Sequence, residues 1–341
     1  MIPFDYIRAN STGEAVQAIG AHGAKFLAGG TNLVDLMKLD AERPSTLIDV
    51  TKIGLNKIED TESGGILIGA LVRNSDLANH PRVVVEYPLL SQALLSGASP
   101  QLRNMATTGG NLLQRTRCYY FTDTAFPACN KRVPGSGCAA IEGFNRIHAI
   151  LGQSDQGPKN FHTCIATNPS DMNVALAALG ATVHVESLKG KRAIPLSDFH
   201  RLPGNTPHLD TNLHPDEFIT GVELKPSPFA KHSWYLKVRD RQSYAFALVS
   251  VAAGLEMDGE RIKSACLALG GVAHKPWLSA QAENALAGSH ASKETFHRAA
   301  EVALSGAKGY ADNAFKIELA KRSIVRALSI AAHGSSAGVE A

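Results

Sequence analysis

The chain has 341 residues with ordinary shares of apolar and charged residues, so we expect a globular protein of two or three domains. Its formal net charge is +3 with both signs interspersed, which argues against a nucleic-acid partner, and no apolar run reaches transmembrane length. The amino terminus, MIPFDYIRAN, has Asp5 and Arg8 where a signal peptide needs an apolar stretch, so no export signal is expected there.

Residues 1–53 predict a small α/β unit. Ser11 and Glu14 form a capping box for the first helix. The pattern then predicts a strand over 25–28, a glycine loop over 29–32, a helix over 33–39 and a strand over 46–50.

Residues 54–227 predict a second subdomain. The glycine loop of the first unit has a counterpart here, at Thr107 to Asn111. The predicted elements are a strand over 67–70, a helix that one of Asn74, Ser75 and Asp76 caps, a helix over 89–95, a helix over 172–179 that Asn168 caps with Pro169 at its first position, and a strand over 181–186.

A proline-rich stretch near Ser227 predicts a boundary, after which residues 228–333 form a third domain with a tail at 334–341. The predicted strands are 235–238, 246–255 and 262–270, and the predicted helices are 280–287, 292–304 and 313–332. The simplest packing is an antiparallel sheet with helices on one side.

The two glycine loops resemble phosphate-binding turns. Gly29-Gly30-Thr31-Asn32 lies between a strand and a helix, where backbone N–H groups approach an anion closely. An ordinary tight turn is the alternative, but the repeated Thr, Gly-Gly and Asn in one chain favours a pyrophosphate held between two loops. No G-x-G-x-x-G, P-loop or hydrolase motif is present.

Four of the five cysteines lie in a segment over about 115–164 that lacks periodicity. A loop of that length needs something to hold it together. Cys118, Cys129, Cys138 and Cys164 are compatible with an iron–sulfur cluster, disulfides or unrelated buried thiols; no pair is close enough in sequence for an ordinary zinc site, and no standard ferredoxin spacing is present. Cys266 is expected to be a core residue.

Several segments resemble the FAD subunits of the xanthine dehydrogenase family, above all those of periplasmic aldehyde oxidoreductases. They include AGGTNLVDLMK, ATTGGNLLQ, NPSDMNVAL and LGGVAHKPW, together with CNKRVPGSGCAAIEGF in the cysteine-rich segment. The resemblance spans nearly the whole chain. It implies an α/β (α+β) fold, with a vanillyl-alcohol-oxidase-type FAD-binding domain in two subdomains and a C-terminal domain like that of the carbon monoxide dehydrogenase flavoprotein.

The resemblance also implies the cofactor sites. It assigns a 4Fe-4S cluster to Cys118, Cys129, Cys138 and Cys164, in an insertion that most of the wider family lacks. The FAD-binding residues that it carries over are Lys25, Phe26, Leu27, Ala28, Gly29, Gly30, Thr31, Asn32, Leu33, Thr107, Thr108, Gly109, Gly110, Asn111, Asp171 and Lys237.

For several individual side chains, two roles are possible. Asp171 is a helix-dipole partner or a flavin contact, and Lys237 is a solvated edge charge or a cation at the flavin N1 and O2 edge. Tyr235 and Tyr244 are expected to be core residues rather than covers of the flavin face. The basic residues Arg115, Arg117, Lys131 and Arg132 are a solvated loop, or they offset the charge of a cluster and contact a partner.

The function implied is electron transfer in a heterotrimer. A large subunit with the molybdenum cofactor oxidises aldehydes to carboxylic acids, a small 2Fe-2S subunit relays the electrons, and this chain passes them through FAD to an acceptor. A FAD/4Fe-4S subunit like that of 4-hydroxybenzoyl-CoA reductase is the rival, and a zinc-stapled nucleotide-binding or scaffold protein is the non-enzymatic one. We expect a periplasmic location by export with a partner subunit, and otherwise a cytoplasmic one.

Overall fold

The computed structural model describes residues 1–153 and 163–334, and its strands form three sheets. Part of the predicted cysteine-rich insertion, and the predicted tail from residue 335 onward, lie outside the described residues. Among the residues described, no helix combines the length and the apolar character needed to span a membrane.

The first sheet is parallel, with strand order β1-β3-β2. Ser11 caps the first helix as predicted, since its side chain accepts a hydrogen bond from the Glu14 backbone N–H at 3.2 Å. The strand at the amino terminus escaped prediction because all four of its residues are exposed, so no apolar alternation marks it. The elements are β1 (Asp5–Arg8), α1 (Thr12–Ala18), β2 (Ala24–Leu27), α2 (Leu33–Lys38) and β3 (Thr46–Asp49).

The second sheet is antiparallel, with strand order β4-β5-β8-β6-β7, and helices pack against it. Its strands are β4 (Ile58–Asp60), β5 (Ile66–Gly69), β6 (Thr182–Ser187), β7 (Gly190–Pro195) and β8 (Phe218–Leu224). Its helices are α3 (Asn74–Asn79), α4 (Pro81–Glu86), α5 (Pro88–Ser96), α6 (Pro100–Arg103), α7 (Thr108–Leu112), α8 (Tyr119–Thr122), α9 (Asp171–Ala178) and α10 (Leu196–Phe199).

Two local predictions in this unit are wrong. The cap of α9 is Ser170, whose hydroxyl accepts from the Asn173 N–H at 3.0 Å, while Asn168 accepts from the Ser170 N–H one step earlier. The second glycine loop is the start of a short helix, because Thr107 accepts from the Gly110 N–H and caps α7. In both places a hydroxyl residue close to the predicted start satisfies the first free amides.

The third sheet is antiparallel, with strand order β12-β11-β10-β9. Its expected one-sided helix layer is wrong, because the two faces of β10 belong to different cores: Val251 and Ala253 pack towards the C-terminal helices, and Ala252 packs towards α5 and α9. The elements are β9 (Ser233–Val238), β10 (Val249–Asp258), β11 (Arg261–Gly270), β12 (Trp277–Leu278), α11 (Ala280–Leu286), α12 (Lys293–Ala303) and α13 (Phe315–His333).

A buried lysine ties α13 to the rest of the chain. The Lys316 ammonium is fully buried and donates to the backbone oxygens of His148 at 2.8 Å and Gly271 at 2.5 Å. Burial, with a smaller contribution from Arg146, lowers the pKa of Lys316 to about 7.

This lysine predicts a pH dependence of stability. The pKa of Lys316 is lower in the folded chain than in the unfolded chain, so the unfolded state binds more protons above pH 7. The free energy of unfolding therefore rises with pH from about 7 towards the ordinary lysine pKa. The rise is at most roughly 1.4 kcal/mol per pH unit. Urea unfolding of the wild type and of Lys316→Met between pH 7 and 9 measures this. The variant should show a flatter dependence, and identical slopes would contradict the prediction.

Candidate functional site

A cleft of about 610 Å³ lies where the three units meet. Residues of both glycine loops line it, together with Asp171 at the start of α9 and Lys237 on β9. The predicted site residues on its wall are Gly30, Thr31, Asn32, Gly110, Asn111, Asp171 and Lys237.

A smaller cavity of about 140 Å³ shares Gly30, Thr31, Asn32 and Gly110 with this cleft. Two of the predicted residues line neither space: Lys25 is exposed on β2, and the buried Thr108 hydroxyl donates to the Val72 oxygen. The other predicted residues, which line the smaller cavity, are Phe26, Leu27, Ala28, Gly29, Leu33, Thr107 and Gly109.

The first glycine loop presents free backbone donors. Within the described part of the chain, none of the N–H groups from Gly29 to Leu33 has an acceptor. The side-chain oxygen of Asn32 accepts from the Arg115 N–H at 3.1 Å, which leaves its buried amide nitrogen without a partner among the same residues. Consecutive free N–H groups beside a cleft form an anion-binding concavity.

Glycine is required here by space and by conformation. A Cβ on Gly29 would lie 1.9 Å from the Met105 carbonyl oxygen, so the loop packs directly on the backbone that precedes α7. Gly30 has a φ of +71°, which side chains rarely adopt, and it lies on the cleft wall. The close contact with Met105 and the backbone conformation of Gly30 therefore both explain why glycine is needed in this loop.

The second loop plays a different part from the first. Four of its five amides donate to oxygens of the chain: Thr108 and Gly109 donate to the Val72 and Ala70 oxygens, and Gly110 and Asn111 donate to Thr107. The backbone N–H groups of Thr108 to Asn111 are therefore already bonded within the chain, whereas those of the first loop are not. This loop shapes the wall of the cleft rather than donating from its backbone.

A buried ion pair lies on the cleft wall where the second and third units meet. The Lys237 ammonium lies 2.8 Å from Asp171 Oδ2, and the two side chains are 3% and 8% exposed. Tyr235 donates to the other carboxylate oxygen, Oδ1, at 2.7 Å. Lys237 is therefore not a solvated edge charge, and Asp171 does more than face a helix dipole.

The cleft is positive overall. Five basic side chains line it against the two acidic ones, Asp35 and Asp171; the basic residues are Lys38, Arg103, Arg117, Lys237 and Arg241. Asn74 Oδ1 and Arg117 Nε add buried polar atoms without a hydrogen-bond partner among the described residues. This excess favours an anionic occupant.

Part of this wall escaped prediction. The sequence predicts Tyr244 in the core and Phe246 at the start of a strand, yet residues 244–246 line the cleft in a loop before β10. Tyr244 has a positive φ of 53° and is 61% exposed, so its expected core position is wrong, whereas Tyr235 is buried as expected. The one sequence signal was Arg239-Asp240-Arg241, a charged run that interrupts the strand pattern.

The four insertion cysteines come together in one cluster with Tyr120 and Phe121, in which Cys118, Cys129 and Cys164 are buried and Cys138 is half-buried. Cys129 and Cys138 face each other across an isolated β-bridge, and the Cys138 and Cys164 thiols hydrogen-bond. All five cysteines are free thiols, and Cys266 is a core residue as expected. In residues 1–153 and 163–334, no group of three or more His, Cys, Asp or Glu side chains is arranged to hold a single metal ion.

Histidines adjoin two of these thiols. His148 Nε2 lies 3.1 Å from Cys118 Sγ, and His274 contacts Cys164. Burial lowers the pKa of His148 to about 4, so its ring is neutral at neutral pH. Burial also raises the pKa of the Cys118 thiol to about 12.

The basic residues of the insertion are internal cross-links, so the solvated-loop interpretation is wrong. Arg115 pairs with Glu42 and Asp210, and the buried Lys131 pairs with Asp210 as well. Burial opposes the charge on Asp210, yet Lys131 and Arg115 hold the pKa of its carboxyl well below the usual range. Arg117 pairs with Asp35 across the cleft, and Arg132 donates to backbone oxygens between Tyr120 and Phe126.

Comparison with known proteins identifies relatives over almost the full length. Residues 2–227 match the model of the FAD binding domain in molybdopterin dehydrogenase, and residues 234–331 match that of the CO dehydrogenase flavoprotein C-terminal domain. The chain is 54% identical over 332 residues, 96% of this chain and 98% of the relative, to the aldehyde oxidoreductase FAD-binding subunit PaoB of Escherichia coli (strain K12). The glyceraldehyde dehydrogenase medium chain of Sulfolobus acidocaldarius is 29% identical, over 84% of this chain and 81% of the relative.

Solved structures agree with these matches. A carbon monoxide dehydrogenase from Hydrogenophaga pseudoflava, in a form that lacks the Mo-pyranopterin moiety of its cofactor, superposes with a TM-score of 0.74 at 26% identity, over 97% of this chain and 98% of that one. Quinoline 2-oxidoreductase from Pseudomonas putida 86 gives 0.73 at 25% identity, over 97% of both chains. The chain belongs to the family of FAD-binding subunits of molybdopterin dehydrogenases.

Proposed function

We propose that this chain is the FAD-binding electron-transfer subunit of a molybdenum-dependent aldehyde oxidoreductase, and that FAD lies in the 610 Å³ cleft. The observation that carries the proposal is a run of five amides, Gly29 to Leu33, that have no acceptor among the residues the structure describes and lie beside a cleft with excess positive charge. The aldehyde substrate class rests on the 54% identity to an aldehyde oxidoreductase subunit.

The residues of the cleft suit the parts of FAD. The first loop would offer its backbone N–H groups to the pyrophosphate, together with the Asn32 amide nitrogen, which has no partner among the described residues. The second loop lines the same cleft with Gly110 and Asn111. Lys237 lies within the wall, where its charge favours the anionic reduced state of a flavin. The bound FAD would accept electrons singly and release them in pairs, which suits the last carrier before an acceptor.

Gly30→Val tests the pyrophosphate assignment. A β-branched side chain at a φ of +71° strains the loop and extends into the wall of the cleft, so we expect FAD occupancy to fall at least about tenfold. Flavin absorbance and extraction per purified chain give the measurement.

Gly54→Val is the matched control. Gly54 also has a positive φ, of 88°, but a Cβ there meets nothing within 4 Å and the residue does not line the cleft. This variant should carry the same backbone strain and retain FAD. Full occupancy in Gly30→Val would rule out the assignment of the first loop.

We also propose that Cys118, Cys129, Cys138 and Cys164 hold a 4Fe-4S cluster. Its support is the convergence of four free thiols in one cluster inside a segment with little regular structure. A cluster of this kind takes its four thiolates on four different irons, so it does not need several side chains around one metal position. When bound it would supply one-electron transfer, and the paired Arg115 and Lys131 would brace the surrounding loop.

Cys129→Ser tests the cluster. Losing one of four thiolates should remove most of the iron, which we expect at about four atoms per wild-type chain. Cys266→Ala is the control, since that thiol lies in another core and its loss leaves only a small cavity. Iron and acid-labile sulfide are measured on the purified full chain. Unchanged iron and sulfide in Cys129→Ser would exclude these ligands.

The partners that we propose are a large subunit with the molybdenum cofactor and a small 2Fe-2S subunit, in a heterotrimer that reaches the periplasm by export with a partner. Affinity purification of the tagged chain from its own cell, followed by assays for molybdenum and iron, tests the complex. Fractionation of the same cells tests the location, and recovery of the tagged chain only from the cytoplasm would contradict export.

A further inference from the structure

Lys237 uses only part of its hydrogen-bonding capacity within the chain. An ammonium has three N–H donors, and here one goes to Asp171 Oδ2 at 2.8 Å and one to the Ser96 backbone oxygen at 3.1 Å. Its side chain is 3% exposed and lies on the cleft wall. Among residues 1–153 and 163–334 the third donor has no acceptor and is available to an occupant of the cleft, while the two protein acceptors fix the position of the ammonium.

Tyr235 controls one of those acceptors. Tyr235 and Lys237 are two residues apart on β9, so their side chains lie on the same face of the strand. The Tyr235 hydroxyl donates to Asp171 Oδ1 at 2.7 Å, so the carboxylate is shared between a neutral donor on one oxygen and a cation on the other. The Tyr235 backbone N–H donates to Gln92 Oε1 at 2.8 Å, which fixes β9 on α5.

The hydroxyl is a committed donor. Burial and the neighbouring Asp171 carboxylate raise the pKa of Tyr235, so the proton stays on the phenol and the hydrogen bond persists across the working pH range. Ser250, which pairs with Lys237 in the β9–β10 register, contacts the same hydroxyl. The phenol is thus held from both sides.

We infer that Tyr235 is a positioning residue that sets the reduction potential of the bound flavin by sharing the Asp171 carboxylate with Lys237. Without the Tyr235 hydroxyl, Lys237 is the one side-chain donor to the Asp171 carboxylate that is left among the described residues. The ion pair then tightens and less positive charge is available to reduced flavin. This inference rests on the proposed place of FAD in the cleft, and it adds a residue that does not itself line that cleft.

The test is potentiometric titration of the flavin absorbance in the full chain, with any partner subunits that co-purify. Part of the free energy lost with the hydrogen bond to the charged Asp171 should appear as a weaker stabilisation of the reduced flavin. Tyr235→Phe should therefore shift the ratio of reduced to oxidised flavin, at fixed potential, roughly three- to tenfold towards the oxidised form. For a two-electron couple this is a fall of roughly 15 to 30 mV. An unchanged potential in a variant that retains FAD would overturn the inference.

Tyr87→Phe is the matched control. Tyr87 is 1% exposed in the same core, and its hydroxyl donates to the Lys225 backbone oxygen at 3.0 Å, away from the cleft. It should lose comparable thermal stability and leave the potential unchanged. If Tyr87→Phe shifts the flavin potential as much as Tyr235→Phe does, the shift comes from a general loosening of the core, and the inference about Tyr235 is overturned.

Two further variants separate this inference from the proposed function. Lys237→Met should lower the potential and abolish the effect of a second Tyr235→Phe change, whereas Asp171→Asn should raise the potential because the lysine charge is then uncompensated. If Lys237→Met and Asp171→Asn behave so and Tyr235→Phe has no effect, only the role of Tyr235 fails. If none of the three moves the potential, the placement of the flavin beside Lys237 fails with it.

Discussion

The packing of helices on both faces of the third sheet is the constraint on which the rest of the structure depends. Its strands β10 and β11 are covered by α11–α13 on one side and by α5 and α9 on the other. The second covering joins the third unit to the second, and it brings β9 against the start of α9. A lysine on β9 and an aspartate at the start of α9 thereby become a buried pair, although 66 residues separate them in the chain.

A buried ion pair is costly to form, since both charges lose their water. The chain offsets that cost with further hydrogen bonds, from Tyr235 to the carboxylate and from the ammonium to Ser96. The same solution recurs in the insertion, where Arg115 and Lys131 converge on Asp210. Both networks connect segments far apart in sequence, so charge helps to fix how the units meet around the cleft and around the cysteines.

The local patterns of the sequence predicted much of this fold. Helices with a hydroxyl cap, such as α11 and α12, were predicted close to their observed bounds, because their signals are contained in a few neighbouring residues. The strand β8 escaped because Gly221 interrupts it, and β1 escaped because it has no buried face. The second helix layer on the third sheet escaped as well, since consecutive apolar residues in β10 do not say what will cover each face.

The site residues, too, differ in whether local sequence could predict them. Gly29-Gly30 was recognisable because only glycine tolerates both the close approach and the positive φ, and these needs are local. The Tyr235 contact with Asp171 and the cleft position of Tyr244 depend on tertiary packing, so single-residue reasoning assigned both tyrosines to an ordinary core. Residue type indicated which functional groups were available, and the packing of the units decided which of their side chains contact one another in the cleft.

The unequal use of amides in the two glycine loops has a consequence for hydration. The amides from Thr108 to Asn111 in the second loop donate to oxygens of the chain. Those from Gly29 to Leu33 have no acceptor within residues 1–153 and 163–334 and must bond to water when nothing else is there. An anionic occupant exchanges that water for its own oxygens without breaking a bond within the loop. The receiving backbone is therefore preorganised, and the cost of binding falls on displaced solvent rather than on refolded protein.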